Sequence, residues 1–358
     1  MSEHKVSLEF IERFKEYLSS AEFEKIPDYS KTEYWRYHSR AIDIAISGDN
    51  IIMKGESGFY VPPTRNIIKK IIKAMKSPSL LMAFVKNYLK SSMNSKIVLM
   101  NYFDAFERVM GHDSITDPIL SPYRINFKAL KLKKGSIGSI NDMRKDFFAK
   151  DKYNLNHSII LAYYTYNIFN GYIGLGDIRS VLEIGAGNGT LAALLHNKIK
   201  KLTYVIVDLP ETICLSMVFL TELFPDARIL MPHEERAHGF NEYDFIFLTP
   251  EQINTLEDNC VDLAINNYSF QEMSHAQIAE YFKLIQRCSK KGAYFYTSNR
   301  VEKIPSAPND GKETLELPQR FSEYPWVRFN KILVHEICRL MRLVQLDNIY
   351  VHLEKIEK

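Results

Sequence analysis

The sequence predicts an α/β protein: a Rossmann-like parallel sheet in the second half of the chain, preceded by a mainly helical cap. Three observations carry this. From about residue 178, short β-branched runs alternate with helix-compatible segments: SVLEIG, LTYVIVD, DFIFLT, VDLAIN and GAYFYTS. Such a rhythm implies right-handed βαβ units and a sheet covered on both faces. The first of these runs ends in a glycine-rich turn that opens a helix. Before residue 150 the apolar spacing is helical instead, as in Ile67, Ile68, Ile71, Ile72 and Met75, with breaks at Pro62-Pro63, Pro78 and Asp117-Pro118.

The chain has 358 residues, long for one domain, so we divide it into a cap and substrate region at 1–150 and a sheet domain at 151–358. Ile349, Val351 and Leu353 alternate with Tyr350, His352 and Glu354, which predicts a half-buried final strand. Between Val301 and Pro325 stand Pro305, Pro308, Pro318 and Pro325, which predict a long loop over the carboxyl edge of the sheet.

Composition narrows the function. With 46% hydrophobic and 25% charged residues the chain is globular in type, which argues against a disordered or fibrous protein. Forty-six basic and 43 acidic side chains leave a net charge of +3, which gives no reason to expect nucleic acid as a partner. Cys214, Cys260, Cys288 and Cys338 are too far apart in sequence for a zinc site or a disulfide framework. A reducing cytoplasm fits them, and the charged start MSEHKVSLEF does not read as an export signal. The uncharged stretch from Tyr153 to Gly176 carries four asparagines and His157, too polar for a membrane span. Eight basic residues and no acidic one lie between Arg65 and Phe103; the plain expectation is a solvated face, and the functional one is peripheral contact with an anionic membrane.

The turn Val181-Leu-Glu-Ile-Gly-Ala-Gly-Asn-Gly189 is the most informative stretch. Glycines there allow a tight turn and the close approach of a ligand. A dinucleotide fingerprint needs Gly or Ala three positions after the second glycine, and Thr190 stands there. Glu183 with Gly185-x-Gly187-x-Gly189 instead fits S-adenosylmethionine, which has no pyrophosphate to cradle. Asp208 ends the next strand and is placed to accept hydrogen bonds from both ribose hydroxyls. Pro250, Glu251 and Gln252 follow the third strand, where adenine is expected, and Asn266 ends the fourth, beside the methyl group. The expected cofactor contacts are therefore Glu183, Gly185, Ala186, Gly187, Asn188, Gly189, Asp208, Leu209, Pro250, Glu251, Gln252 and Asn266.

EIGAGNG, VDLPE, FLTPEQ, DLAINNYSFQEM and YFYTSNR together resemble the sugar O-methyltransferase family, a branch of the class I S-adenosylmethionine-dependent methyltransferases. The resemblance covers about residues 150–330; in the first part of the chain only Tyr34-Trp35-Arg36-Tyr37-His38 joins it. It implies methylation of a hydroxyl on a sugar destined for a glycan or glycoconjugate. A protonated hydroxyl is a poor nucleophile, so a base is expected. Glu272 and His275 follow the fourth strand at i, i+3 spacing, and His275 is the better candidate because its ordinary pKa keeps it neutral near pH 7. The structural alternative is a helix cap at Glu272 and a solvated His275. His157 precedes a helix whose Tyr163, Tyr164 and Tyr166 could offer ring faces to a sugar or simply pack in the core.

His233 and His238 are five apart, which a helix would turn away from each other, so no zinc hydrolase is expected. Asn266-Asn267 in place of paired carboxylates predicts no catalytic metal. Two rivals remain: an N-methyltransferase on an amine or nucleobase, against which the absence of prolines after Asn267 counts, and a catalytically silent cofactor-binding scaffold in glycan assembly.

Overall fold

A computed structural model describes residues 2–24, 43–54, 157–303, 318–338 and 348–358. At its centre is an eight-stranded sheet. The five strands expected from the sequence are β4 (Ser180–Ile184), β5 (Thr203–Val207), β7 (Phe245–Leu248), β8 (Val261–Asn267) and β9 (Ser289–Arg300), all parallel. A two-residue strand, β6 (Ile229–Leu230), extends one edge beyond β7. On the other side β13 (Ile349–Lys355) runs antiparallel between β9 and β12 (Lys331–Ile337). The spatial order β12-β13-β9-β8-β4-β5-β7-β6 reverses direction on either side of β4, so the carboxyl ends of β4, β5 and β8 border one crevice. This is the Rossmann-like sheet that the sequence predicts.

Continuous apolar runs make these strands because both faces are covered. Every residue of β4, β5 and β7 is buried. One face packs on α3 (His157–Tyr172), α4 (Thr190–Lys198) and α5 (Pro210–Leu223); the other packs on α6 (His275–Cys288). The start of α6 is fixed by a capping box, in which Ser274 accepts from the Gln277 amide and Gln277 reaches back to the Ser274 amide at 2.8 Å. Ile278, Tyr281, Phe282 and Ile285 then recur on its buried face. Tyr164, offered by the sequence as a sugar platform, is instead buried in the core of the opposite face.

The final strand differs from expectation. The alternation of Ile349 to Glu354 predicts one wet face, yet His352 and Glu354 are both buried. Two-sided pairing puts β13 inside the sheet, and Trp326 covers His352 with a ring separation of 4.3 Å. The polar side chains satisfy each other there: His352 Nε2 lies 3.1 Å from Glu354, which also accepts from Asn330 Nδ2 at 2.8 Å. The expected long loop after Val301 also has paired ends, because β10 (Glu302–Lys303) and β11 (Gln319–Arg320) run antiparallel.

The first half of the chain departs further. Its described residues form α1 (Leu8–Leu18), α2 (Ala21–Glu24) and a three-stranded antiparallel sheet of β1 (Ser2–Lys5), β2 (Asp43–Ser47) and β3 (Asn50–Lys54). Beside the two helices, this part thus holds a small sheet that the expectation of a mainly helical cap did not include. Its local signal was a Gly48-Asp49 turn between short apolar runs, with Gly48 at φ +61, as a two-residue hairpin requires. The helical spacing around Ile67–Met75, the basic stretch from Arg65, the aromatic-rich residues 34–38 and the boundary near 150 lie outside the described residues. Among the described residues no helix is long and apolar enough to cross a membrane.

Helix α1 shares a core with the large sheet through Phe10, Ile11, Phe14 and Tyr17. Arg13 fixes the contact, donating to both carboxylate oxygens of Glu234 at 2.6 and 2.8 Å and to the Ile229 carbonyl at 2.8 Å. Bidentate, partly buried pairs of this kind are among the stronger surface-to-core links. We expect Arg13→Ala to lower stability by about 1–3 kcal/mol in urea unfolding, because Glu234 is left without its cation. Glu12→Ala, which removes only the exposed pair with Lys15, should cost less than about 0.5 kcal/mol. Equal losses for the two would show that Arg13 does not dock the helix.

Candidate functional site

The glycine-rich turn follows β4, and its three glycines fall into two roles. All have positive φ, +73 at Gly185, +58 at Gly187 and +78 at Gly189. A Cβ on Gly185 would collide with the side chain of Ser269, and one on Gly189 would press on Ser216 and Leu220 of α5 at 3.1 and 3.2 Å. A Cβ on Gly187 would meet nothing within 4 Å. Gly185 and Gly189 therefore serve close packing, and Gly187 faces open space in the crevice.

Asp208 closes that space from the end of β5. Its Oδ2 accepts from the Gly187 amide at 2.9 Å and its Oδ1 from the Leu209 amide at 2.8 Å. A carboxylate oxygen can accept more than one hydrogen bond, so both atoms keep capacity for further donors. Burial pushes the Asp208 carboxyl up to about 7, against the lowering effect of the two amides, with the charges of Glu272 and Glu211 adding to the rise. Glu183, two residues before the turn on β4, is fully buried, accepts from Tyr204 Oη at 2.7 Å and is bonded by the Asn267 side chain. Burial raises it to about 7 as well, and the Asp208 charge contributes.

Ordinary values for these groups are 3.8 and 4.5, so between those and about 7 the folded protein holds protons that the unfolded chain has released. Their contribution to stability is full below the ordinary carboxyl range and is lost as pH rises through about 7. Above that, two buried negative charges face the crevice.

Glu272 lies in the short 3-10 turn Phe270–Glu272 after β8 and belongs to the same electrostatic group. Burial raises its pKa, while Lys303 Nζ, 3.0 Å from Oε1, and Arg300 oppose the rise. His275 sits apart from these carboxylates, on the exposed first turn of α6. Its Nδ1 is 3.2 Å from Gln319 Nε2 and its Nε2 3.4 Å from Glu323. Glu272 and His275 thus each meet the 302–323 segment, through Lys303 for one and through Gln319 and Glu323 for the other. His157 begins α3, and its side chain lies outside the described residues.

Several expected cofactor contacts turn out to be structural. Asn266 is completely buried: its Nδ2 donates to the Ile184 carbonyl at 3.0 Å and to Ser269 Oγ, and its Oδ1 accepts from Asn299 Nδ2 at 2.8 Å. The side chain joins β4, β8 and β9 and has no polar atom left for a ligand. Gln252 caps the turn after β7, accepting from the Thr249 amide at 2.9 Å and donating to the Pro232 carbonyl at 2.6 Å. Asn188 accepts from the Thr190 amide and hydroxyl at 3.2 and 2.7 Å and so fixes the start of α4. Polar residues at strand ends satisfy backbone groups as readily as ligands, and sequence position alone does not separate the two. Pro250 and Glu251 begin the turn after β7, Leu209 precedes α5, and Ala186 is a partly buried member of the glycine turn.

The structure adds residues that the sequence did not single out. Tyr281 of α6 has its pKa raised by burial and by the charges of Asp208 and Glu251, and Tyr17 of α1 feels Asp208 as well. Both rings are buried in the core, Tyr17 on the face of α5 and Tyr281 on the face of α6. Tyr281 falls on the buried stripe of an amphipathic helix and reads there as core. Tyr268, directly after β8, has φ +60, a conformation that costs a non-glycine residue about 1–3 kcal/mol.

No family model matches the chain, and no curated protein matches it. Among solved structures it is similar to an S-adenosylmethionine-dependent methyltransferase from Methanosarcina mazei, at 14% identity over 53% of this chain and 97% of that one, with a TM-score of 0.37. An S-adenosylmethionine-dependent methyltransferase from Aquifex aeolicus aligns at 15% identity over 62% of this chain and all of the other, with a TM-score of 0.35. At such scores the fold assignment rests on the strand order and not on these likenesses.

Gly185→Ala should destabilise the protein by about 1–3 kcal/mol, from its positive φ and the contact with Ser269. Adding Ser269→Gly should recover part of that loss in thermal unfolding. A Gly185→Ala protein as stable as the parent would mean that the turn does not approach the loop after β8 so closely.

Proposed function

We propose that the protein binds S-adenosylmethionine and transfers its methyl group to a sugar hydroxyl of a glycan or glycoconjugate precursor. The observation that carries the reading is the pairing of Asp208 with the Gly187 amide beside open space. A buried carboxylate with unused acceptor capacity suits a ribose diol, and a bare glycine leaves room for the nucleoside. Asp208 would hold the ribose, Gly187 would border it, and the negative charge of Asp208 and Glu183 would favour a ligand that carries positive charge. When bound, the cofactor supplies an electrophilic methyl group on a sulfonium. The protein's own part is to orient the acceptor hydroxyl, exclude water and take up the hydroxyl proton.

For that proton we favour Glu272 over His275. Glu272 acts on Asp208, is shielded from water and has a raised pKa, which makes a carboxylate a stronger base. His275 is exposed and engaged with Gln319 and Glu323, which suits an anchor for β11 and the turn that follows it. The sugar acceptor is supported by the family resemblance of the motifs at residues 183–189, 207–211, 247–252, 262–273 and 294–300.

The test combines calorimetry with methyl transfer to a panel of sugars and glycans, read as the mass gain of one methyl group. Asp208→Ala should weaken cofactor binding about 10- to 100-fold, since charge-assisted hydrogen bonds are lost. Gly187→Ala should fold yet bind more weakly. Glu272→Gln should lower turnover by about 10²–10⁴-fold at unchanged cofactor affinity, with His275→Ala within a few-fold of the parent. Unchanged affinity in Asp208→Ala would remove the ribose assignment. Tight cofactor binding with no sugar methylated would leave the scaffold reading in place of the enzyme.

A further inference from the structure

Two of the four cysteines that the sequence keeps far apart are neighbours in the fold, at the end of the sheet opposite the candidate site. Cys260 directly precedes β8, and Cys288 ends α6 directly before β9. The parallel register aligns Val261 with Ser289, and one step earlier the Cys260 amide donates to the Cys288 carbonyl at 2.7 Å. A direct backbone hydrogen bond of this length brings the two Cα atoms to about 5–6 Å from each other, within the range that a disulfide spans. Their thiols are hydrogen-bonded to each other, and both belong to the core face that packs on α6. Cys214 and Cys338 are buried in the opposite face.

The two sulfurs differ in a useful way. Cys288 is completely buried, whereas Cys260 is partly exposed, its Sγ 3.0 Å from the Glu257 carbonyl. The hydrogen bond between them holds the Cys260 thiol below its ordinary range, with help from Lys290, and together with burial it pushes Cys288 above. Glu257 opposes the effect at Cys260, and Arg287 opposes it at Cys288. A partly exposed thiol of lowered pKa beside a buried partner is the arrangement of an attacking and a resolving cysteine.

We propose that Cys260 and Cys288 are a site of reversible disulfide formation, with glutathione disulfide as the oxidant. The Cys260 thiolate attacks one sulfur of glutathione disulfide, forming a mixed disulfide and expelling one glutathione thiolate. Cys288 loses its proton, attacks the Cys260 sulfur and expels the second glutathione thiolate. Two protein thiols give up two electrons and two protons, and one glutathione disulfide becomes two glutathiones. The bridge ties the start of β8 to the end of α6 and encloses β8 and α6, with Glu272 in the turn between them. It does not depend on the proposed activity.

The folded protein, incubated with glutathione disulfide, acid-quenched and digested, should yield one linked peptide pair joining Cys260 to Cys288. Its intact mass should fall by two hydrogens, dithiothreitol should reverse this, and the melting midpoint should rise by about 5 °C in the oxidised form. Cys288→Ser should stop at a glutathione adduct on Cys260, and Cys260→Ser should form neither adduct nor bridge. A stable glutathione adduct on Cys260 of the parent with Cys288 still free after denaturation would overturn the proposal. So would an unreactive Cys260, or a bridge that persists in Cys260→Ser.

Discussion

The hydrogen bond from the Gly187 amide to Asp208 is the contact on which the candidate site depends. It links the turn after β4 to the end of β5, so the two strand ends that flank the reversal of the sheet are held at a fixed separation. Gly185 can lie against Ser269 only because it has no side chain, and Asn266 secures the same loop from below by bonding Ile184, Ser269 and Asn299. Around the open space at Gly187, most polar groups are thus committed to the backbone. The carboxylate of Asp208 also bonds two backbone amides, yet both of its oxygens retain acceptor capacity.

Electrostatics gives this framework a direction. Glu183 and Asp208 are buried and Glu272 is partly buried, and of these three Glu272 has a cation, Lys303, within hydrogen-bonding distance. Burying carboxylates is unfavourable unless a partner compensates, and the protein alone answers by raising their pKa values. A cationic ligand would answer differently, by favouring the ionised forms. The far end of the same β8–α6–β9 unit carries the cysteine pair.

Much of the fold was legible in the sequence because each central strand is buried on both faces and so reads as an unbroken apolar run. SVLEI, TYVIV, FIFL and VDLAIN all became adjacent parallel strands. The N-terminal hairpin was missed because helical spacing elsewhere in that half outweighed the local Gly48-Asp49 signal. The tight turn after β4 and the carboxylate that closes it were legible, because three glycines after an apolar run require a turn and Asp208 directly follows the next apolar run. Asn188, Gln252 and Asn266 were not separable from them in sequence: an amide that caps a turn looks the same as one that meets a ligand. The approach of Tyr17, Tyr281 and Lys303, and the pairing of Cys260 with Cys288, depend on contacts between distant segments, which no local pattern records.

The central claim is that the Asp208 and Glu183 carboxyls, partly protonated near neutral pH, are the counter-charge for a cationic cofactor. The most direct measurement is calorimetry of S-adenosylmethionine binding near pH 6.5 in buffers with different heats of ionisation. If the claim is right, binding releases protons, so the apparent enthalpy changes with the buffer and affinity rises as pH approaches about 7, the value to which burial raises both groups. Binding that takes up protons, or shows no dependence on the buffer, would contradict it.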